Sequence, residues 1–565
     1  MSRLLLLRRP FDITIASRGF DSTLTSERRR VFDARVKAAM LAVIVCLTVL
    51  VSLRSLSNGF VFDDLDVIQR NPLIGHWSFV WKSFFHDVWW FRNPAKLPQS
   101  SYYRPLQNLW FALGFHLFGY SPIAWHAAKI LLHLVVVLLA FRAAVLLSGD
   151  VTVGLLSALL FSVLPAHAEV VTWISSIPEP MAAGFELAAF SLAVESPKDR
   201  RMLLGSVACF VAALLSYEGA IVFPVLLGAY LLIFGERGEL ESDHHSLTIQ
   251  QILMRCAPYL GACVGYLIAR YLVMGLYGVT YSAAGLAAGY AQPVGELLAT
   301  MPEVMLYYIA MLGVPWLAGP AHPLDWVSSF FSPHFYVPLA LLLLLATSGW
   351  MAARHSPRRK LYIFCAIWFF VSIAPMMNLG GVWDLVQDRY LYLAALGWCV
   401  IAADCLVRWS RSGNRMLWSS VAALMLIAWC LSFWKVEGYW KDQLTMYKAR
   451  TIMAPQATRW HYDLYAEYLH RNDFRGSEHE LEEMLRLKPS NRKYHFLLHI
   501  VEERLGNGAR SRAEFMKSMP EGIRRQVSAG LNEVRSAQAG PSERSGEVAL
   551  PTPIPPAPSA PAPAH

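Results

Sequence analysis

The chain has 565 residues, of which 55% are hydrophobic and only 16% charged, with a mean hydropathy of +0.36. A soluble domain carries about 25% charged residues, so this balance excludes an ordinary soluble protein and fits a polytopic membrane protein. The net charge of +9 finds its place in short basic loops that orient spans; no basic-aromatic platform accompanies it, so no nucleic-acid partner is expected.

Residues 1–37 carry a basic cluster (Arg28, Arg29, Arg30, Arg35, Lys37) ahead of an apolar run, 38–56. A bilayer span needs roughly 20 residues, so this run crosses, and its basic flank stays in the cytoplasm. Apolar stretches near 122–147, 151–168, 180–196, 202–217, 219–234, 256–276, 335–353, 360–377, 390–407 and 416–435 bring the expected count to eleven. In that count the basic loops 196–201, 354–360 and 408–415 are all cytoplasmic. The segment 296–316 is apolar enough to cross, yet counting it would put 354–360 outside. It reads instead as an amphipathic or re-entrant helix on the outer face, and residues 104–119 as another outer-surface helix. The expected fold class is an all-α polytopic membrane bundle over 38–435.

Past Trp434 the composition turns polar. Pro455 and Pro489 stand 34 residues apart, and His461-Tyr462 recurs as His495-Phe496, and Leu464 as Leu498, at the same offset. That is the tetratricopeptide (TPR) period, so 436–520 is expected to be a TPR-like helical region on the outer side, open to a protein partner. Residues 521–565, rich in Pro and Ala toward the end, are expected to form a disordered tail. All eight cysteines lie in apolar segments without CxxC spacing, which fits small buried hydrophobes. No asparagine begins an N-x-Ser/Thr sequon, which leans toward a bacterial inner membrane and a periplasmic outer face.

Unusual polar residues concentrate in the outer loops. The first holds Asp63, Asp64 and Asp66, then Tyr103-Arg104; the second holds His167, Glu169 and Glu179; the third is the turn at Glu218; the last holds Asp384, Asp388, Arg389 and Tyr390. Charges at span edges are functional hypotheses by default. Breaking a lipid-phosphate-linked sugar at the headgroup level needs a carboxylate to accept a hydroxyl proton and cations to stabilise the departing phosphate. Three carboxylates in the first loop exceed what a helix cap needs, although a cap remains the simpler role for either Asp63 or Asp64. A divalent ion held by Asp64, His167 and Glu169 stays open, since their spacing matches no standard site.

The stretches "FVFDDLDVIQRNPLI" (60–74), "YYRPLQNLWFALGFHLFGYSPIAWHAAKILLHLVVVLLAF" (102–141), "LLFSVLPAHAEVVTWISSIPEPMAAGFELAAF" (159–190), "SYEGAIVFPVLLGAYLLIF" (216–234) and "QDRYLYLAALG" (387–397) occur in this order. Together with the repeat region they resemble bacterial relatives of the transmembrane and tetratricopeptide-repeat O-mannosyltransferases, within the GT-C superfamily that includes the protein O-mannosyltransferases. The resemblance implies a GT-C-like membrane domain and an inverting transfer from a polyprenyl-phosphate sugar to a protein or glycan acceptor. It implies that Asp63 is the catalytic base with Asp64 in support, or the reverse, and that Arg104, Arg389 and Tyr390 bind donor phosphate. Asp66, His167, Glu169, Glu179, Glu218 and Asp388 would be supporting polar groups. The chain departs from the family at "SSIPE" (175–179), where a basic residue is lost and Glu179 replaces Asp, and at Tyr217-Glu218, where the family reads Lys-Glu.

The resulting expectation is a membrane glycosyltransferase working at the outer face, with membrane lipid and the lipid-linked sugar as partners. The alternative is a non-catalytic scaffold: a degenerate GT-C domain whose TPR-like region recruits partners. A transporter ranks behind both, because no charge is evident at mid-depth in the spans.

Overall fold

The computed structural model describes residues 26–93, 100–195, 199–237, 244–275, 293–377 and 384–538. The start of the basic flank, parts of the loops 196–201 and 378–390, and the Pro/Ala run lie outside the described residues. The chain divides into two compact units, 1–467 and 468–565.

The first unit is built from helices: α1 (Ser26–Ser52), α2 (Trp77–Lys82), α3 (Pro105–Phe118), α4 (Pro122–Ser148), α5 (Val151–Val163), α6 (His167–Thr172), α7 (Pro178–Glu195), α8 (Arg200–Ser216), α9 (Phe223–Phe234), α10 (Ile249–Met274), α11 (Val294–Gly313), α12 (Pro333–Ala353), α13 (Arg359–Ile373), α14 (Leu391–Ser412), α15 (Arg415–Tyr439), α16 (Gln443–Met453) and α17 (Thr458–His470). Among the described residues the only strand pairing joins Glu236–Arg237 to His244–His245. The eleven stretches expected to cross all fall on helices. Seven helical segments are long and apolar enough to do so among the described residues: Ala38–Ser57, Pro122–Ser148, Ile249–Met274, Pro333–Ala353, Arg359–Met376, Asp388–Ser412 and Arg415–Tyr439. Val151–Val163 and Glu218–Phe234 are apolar but shorter.

The exposed faces of these helices show why the protein needs lipid. Leu341, Leu343, Leu344 and Leu345 on α12 are all exposed, a contiguous apolar surface that water would penalise and a hydrocarbon core would not. The chain is a multi-pass membrane protein.

One end of the bundle is tied by charge. Gly149, at φ +67°, ends α4 in the left-handed conformation that favours glycine. Asp150 then caps α5 by accepting from the Thr152 and Val153 amides. Its second oxygen pairs with Arg411 at 2.6 Å, and Arg358 donates to the Ser148 carbonyl at 2.7 Å. The basic loops around 354–360 and 408–415 thus sit at the same end as the α4–α5 turn.

The interior of the spans is less purely apolar than the sequence suggests. Lys129 on α4, Glu186 on α7 and Asp404 on α14 are buried, which corrects the expectation of spans without internal charge. A lone charge in an apolar run is hidden by its neighbours in any windowed reading. Two of the three have partners: Lys129 donates to the Ser176 carbonyl at 2.5 Å, and Asp404 accepts from the Tyr362 hydroxyl at 2.7 Å.

The second unit contains α18 (Phe474–Leu487), α19 (Arg492–Arg504), α20 (Gly508–Ser518) and α21 (Glu521–Gln538), packed around Leu481, Met484, Leu498 and Val501. Arg510 on α20 bridges Glu478 at 2.5 Å and Glu502 at 2.8 Å. The 34-residue repeat has a local structural counterpart. His495 Nε2 donates to the Pro489 carbonyl at 2.9 Å, and in the first unit His461 Nε2 donates to the Pro455 carbonyl at 3.0 Å. Helix α21 corrects the expected start of the tail. Ile523, Val527, Leu531 and Val534 recur every three or four residues, a helical period that the Pro/Ala content further on obscured.

Two helices approach closely at Gly397 on α14, where a Cβ would sit 2.3 Å from the Cys365 carbonyl oxygen of α13. Gly397→Ala should therefore force the helices apart at a cost of about 1–3 kcal/mol. Thermal unfolding in detergent measures this, and an unchanged midpoint would show that the crossing tolerates the methyl group.

Candidate active site

The two adjacent aspartates have different fates, set by one backbone turn. Phe62 adopts φ +52°, a conformation in which a bulky side chain is strained. Three contacts hold it: its amide donates to Gln443 Oε1 at 2.8 Å, its ring lies 5.8 Å from that of Trp173, and the Arg450 guanidinium sits 4.8 Å from its centre. This turn sends Asp64 inward. Its carboxylate is fully buried and accepts three bonds: from the Ser175 amide at 2.7 Å, the Ser175 hydroxyl at 2.5 Å and the Val61 amide at 3.1 Å.

Asp63 faces the other way. It is half-buried and accepts no side-chain or backbone hydrogen bond among the described residues. Burial pushes its carboxyl up to about 6, against the pull of Arg92, Arg389 and Arg450. Burial likewise pushes Asp64 up to about 7, while the Ser175 and Val61 donors pull it down. Asp64 is a fixed structural acceptor; Asp63 is the carboxylate with free lone pairs.

The two arginines of interest lie close by, each already paired. Arg104, at the start of α3, makes a fork-to-fork contact with Glu218 at 2.7 and 2.6 Å and stacks 4.4 Å from the Tyr102 ring and 4.8 Å from that of Tyr217. Burial opposes its charge, yet Glu218 holds its pKa above the usual arginine range. Arg389 bonds Glu169 at 2.5 Å and reaches Glu179 at 3.4 Å, with the Trp173 ring at 5.0 Å and the Tyr390 ring at 5.3 Å. Tyr102 links the groups: burial raises its phenol pKa, and the charges of Arg104, Glu218, Arg389 and Asp63 all act on it. Asp63, Arg104 and Arg389 therefore share one electrostatic neighbourhood.

Other expected site residues are drawn elsewhere. Asp66 pairs with Arg70 at 3.1 Å and Arg92 at 2.6 Å. Asp388 turns away from Arg389 toward His322 Nε2 at 2.8 Å and accepts from the Gly319 amide at 2.8 Å. His167 is buried, its Nδ1 on the Phe161 carbonyl at 2.7 Å and its ring against Tyr392. Asp64, His167 and Glu169 do not come together as a metal site. No group of three or more His, Cys, Asp or Glu among the described residues is arranged to share an ion, because Ser175, Phe161 and Arg389 respectively claim those three side chains.

Sequence reasoning missed Arg450, Ser175 and Lys129. Arg450 on α16 is buried, stacked 4.2 Å from the Trp460 ring and directed at the first loop across nearly 390 residues of chain. Nothing local marks it. Lys129 grips the backbone next to Ser175 and was concealed in an apolar run. Ser175 stands where the family motif differs, so it carried no expectation.

Comparison with known proteins gives this arrangement a context. A family model described as dolichyl-phosphate-mannose-protein mannosyltransferase matches residues 103–261. Protein O-mannosyl-transferase F38B6.6 of Caenorhabditis elegans is 22% identical over 430 residues, covering 75% of this chain and 59% of that protein. The human protein O-mannosyl-transferase TMTC1 is 24% identical over 499 residues, covering 81% and 56%. The chain resembles the protein O-mannosyl-transferases. It spans little more than half the length of the curated O-mannosyl-transferases it matches. The O-mannosyl-transferase family match takes in Arg104, Glu169, Glu179 and Glu218 and stops short of Asp63 and Arg389. Among solved structures, an Archaeoglobus fulgidus oligosaccharyltransferase tethered to an acceptor peptide aligns at TM-score 0.35 and 12% identity, over 74% of this chain and 59% of that one.

The division of labour between the aspartates has a direct test. Asp64→Asn replaces one carboxylate oxygen with an NH2 donor, so either the Val61 amide or the two Ser175 donors lose their acceptor, which should cost about 1–3 kcal/mol of stability. Asp63→Asn removes a strained, unbonded charge and should leave the unfolding midpoint level or slightly raised. Equal losses in the two variants would contradict the separation of roles.

Proposed function

We propose that this protein is a GT-C-type membrane glycosyltransferase that moves a sugar from a polyprenyl-phosphate donor to a protein or glycan acceptor at the periplasmic face of a bacterial inner membrane. The observation that carries this reading is the unbonded Asp63 carboxylate, raised to about 6 by burial and facing three guanidinium groups. The mannosyltransferase match and the O-mannosyl-transferase relatives support the reaction class.

The chemistry follows from where the free valences are. An acceptor hydroxyl approaches Asp63, which takes its proton as the oxygen attacks the anomeric carbon. A new C–O bond forms, and the bond from that carbon to the phosphate oxygen breaks, its electron pair staying on the phosphate. Arg389, with Arg104 behind Tyr102, offsets the charge gained by the leaving phosphate. Because Glu169, Glu179 and Glu218 already hold these guanidiniums, they keep their orientation before substrate arrives. Inversion at the anomeric carbon is what the resemblance implies for a single displacement. A protein partner would be received by the TPR-like helices.

The same carboxylate pairing favours the second reading, a non-catalytic scaffold. Arg104 and Arg389 each have a carboxylate at hydrogen-bond distance, leaving less free positive charge for a phosphate. Turnover separates the two. In membranes supplied with polyprenyl-phosphate sugar, Asp63→Asn should reduce transfer by about 10²–10⁴-fold. The base acts when ionised, so wild-type kcat/KM should rise with pH through about 6, to which burial pushes the Asp63 carboxyl, and level off above. Full transfer by Asp63→Asn would place the base elsewhere. Wild-type inactivity with every acceptor fraction would leave the scaffold.

The sidedness has its own measurement. A reporter active only in the periplasm, fused after residue 450, should be active, and a cytoplasmic reporter at the same position silent. The opposite pattern would overturn the orientation.

A further inference from the structure

A cavity of about 170 Å³ opens beside Arg389. Its charged lining comprises Glu169, Asp325, Asp384, Arg389 and Arg450, and Trp326 forms part of its wall. One of these groups has unmet donors. Arg450 is only 5% exposed, and its Nε and Nη1 have no hydrogen-bond partner among the described residues. Trp326 is half-buried: it packs in part against the main hydrophobic cluster, and its indole makes no contact with another ring or cation among the described residues. A buried guanidinium with unmet donors is costly unless something fills the space with acceptor oxygens.

The lining narrows what that something is. Three carboxylates stand against two guanidiniums, so the cavity does not favour an anion such as phosphate. Mixed acceptors and donors beside a partly exposed aromatic ring suit a neutral ligand with several hydroxyls. The volume is below the roughly 300–1,000 Å³ of pockets that take drug-sized molecules, which leaves room for a single ring. The walls come from 319–326, 384–389 and the α16–α17 region, which, Asp388 and Arg389 apart, lie outside the candidate membrane-spanning segments. Arg450 also lies 4.8 Å from the ring of Phe62, the residue before Asp63, so one wall of the cavity adjoins the turn that carries the base.

We propose that this cavity is an acceptor subsite for one neutral hexose ring, so that the hydroxyl presented to Asp63 belongs to a glycan rather than to a protein side chain. The ring would stack on Trp326 and accept hydrogen bonds from Arg450, while Asp384 and Glu169 accept from its hydroxyls. This rests on the glycosyltransferase reading above for the word acceptor, but the binding itself does not depend on turnover.

The purified full chain in lipid nanodiscs can be titrated with methyl glycosides of glucose, galactose and mannose, with binding read by ligand-observed NMR. At least one should bind saturably. Trp326→Ala and Arg450→Gln should each weaken it about tenfold, the scale of one good hydrogen bond or stacking contact. Trp326 is partly exposed, so its variant reports even if Arg450→Gln fails to fold. No saturable binding of any glycoside would overturn the proposal. So would tight binding of a sugar-free serine or threonine peptide that Arg450→Gln abolishes, which would assign the cavity to a protein acceptor. Where transfer is measurable, Trp326→Ala should raise KM for the glycan and not for the lipid donor; the reverse would make the cavity the donor's sugar pocket. Glycoside binding by a wild type that transfers nothing would support the subsite and sink the enzymatic reading instead.

Discussion

The contact between Asp64 and Ser175 joins the loop after α1 to the loop between α6 and α7, segments 111 residues apart. Its three donors fix the carboxylate in place, and with it the strained turn at Phe62. Once that turn is fixed, the neighbouring side chain has only one way to point. The position of Asp63 is thus inherited from Asp64: a buried, saturated group aims a half-buried, unsaturated one. Adjacent like charges in a low-dielectric setting would otherwise be unfavourable. Here one of them is diluted over three hydrogen bonds, and the other is balanced by Arg92, Arg389 and Arg450.

Charge around this turn is arranged in layers. Arg104 and Arg389 carry their own carboxylates, so their geometry is set by the protein and not by a ligand. Such preorganisation lowers the reorganisation needed when charge develops during a reaction. Arg450 differs: aromatic rings hold it through cation–π contact, which fixes the guanidinium plane without using its N–H groups. Among the described residues the site therefore contains cations that are oriented and neutralised, and Arg450, which is oriented and keeps unmet N–H groups at Nε and Nη1.

Much of this was legible in the sequence, for definable reasons. Span positions follow from apolar length, so every expected crossing falls on a helix, and the 34-residue spacing reappears as matched His461–Pro455 and His495–Pro489 contacts. Carboxylates at loop positions were visible because charge is rare in this chain. What stayed hidden depends on long-range contact or on masking. Which aspartate turns inward is decided by the backbone at Phe62 and by Ser175. Arg450 is remote in sequence from Phe62, over whose ring it lies. The metal set of Asp64, His167 and Glu169 was compositional, and nothing in spacing reveals that each side chain already has another partner. Helix α21 was overshadowed by the proline-rich stretch that follows it.

Lys129 carries a consequence for how the protein is made. It lies about 10 Å along α4 from Pro122, at 1.5 Å per residue, and its ammonium is matched by a carbonyl in a segment synthesised 47 residues later. When α4 first enters the bilayer, that carbonyl has not yet left the ribosome. An unpaired lysine within a span is unfavourable by up to a few kcal/mol on insertion scales, but α4 has the highest mean hydropathy of the seven candidate spans among the described residues, so its apolar residues outweigh that cost and it inserts without waiting. The Ser176 carbonyl removes the cost afterwards. The 173–179 loop therefore acts as a late clasp on a span already in place, and its loss should show as a weakened membrane domain rather than as failed insertion.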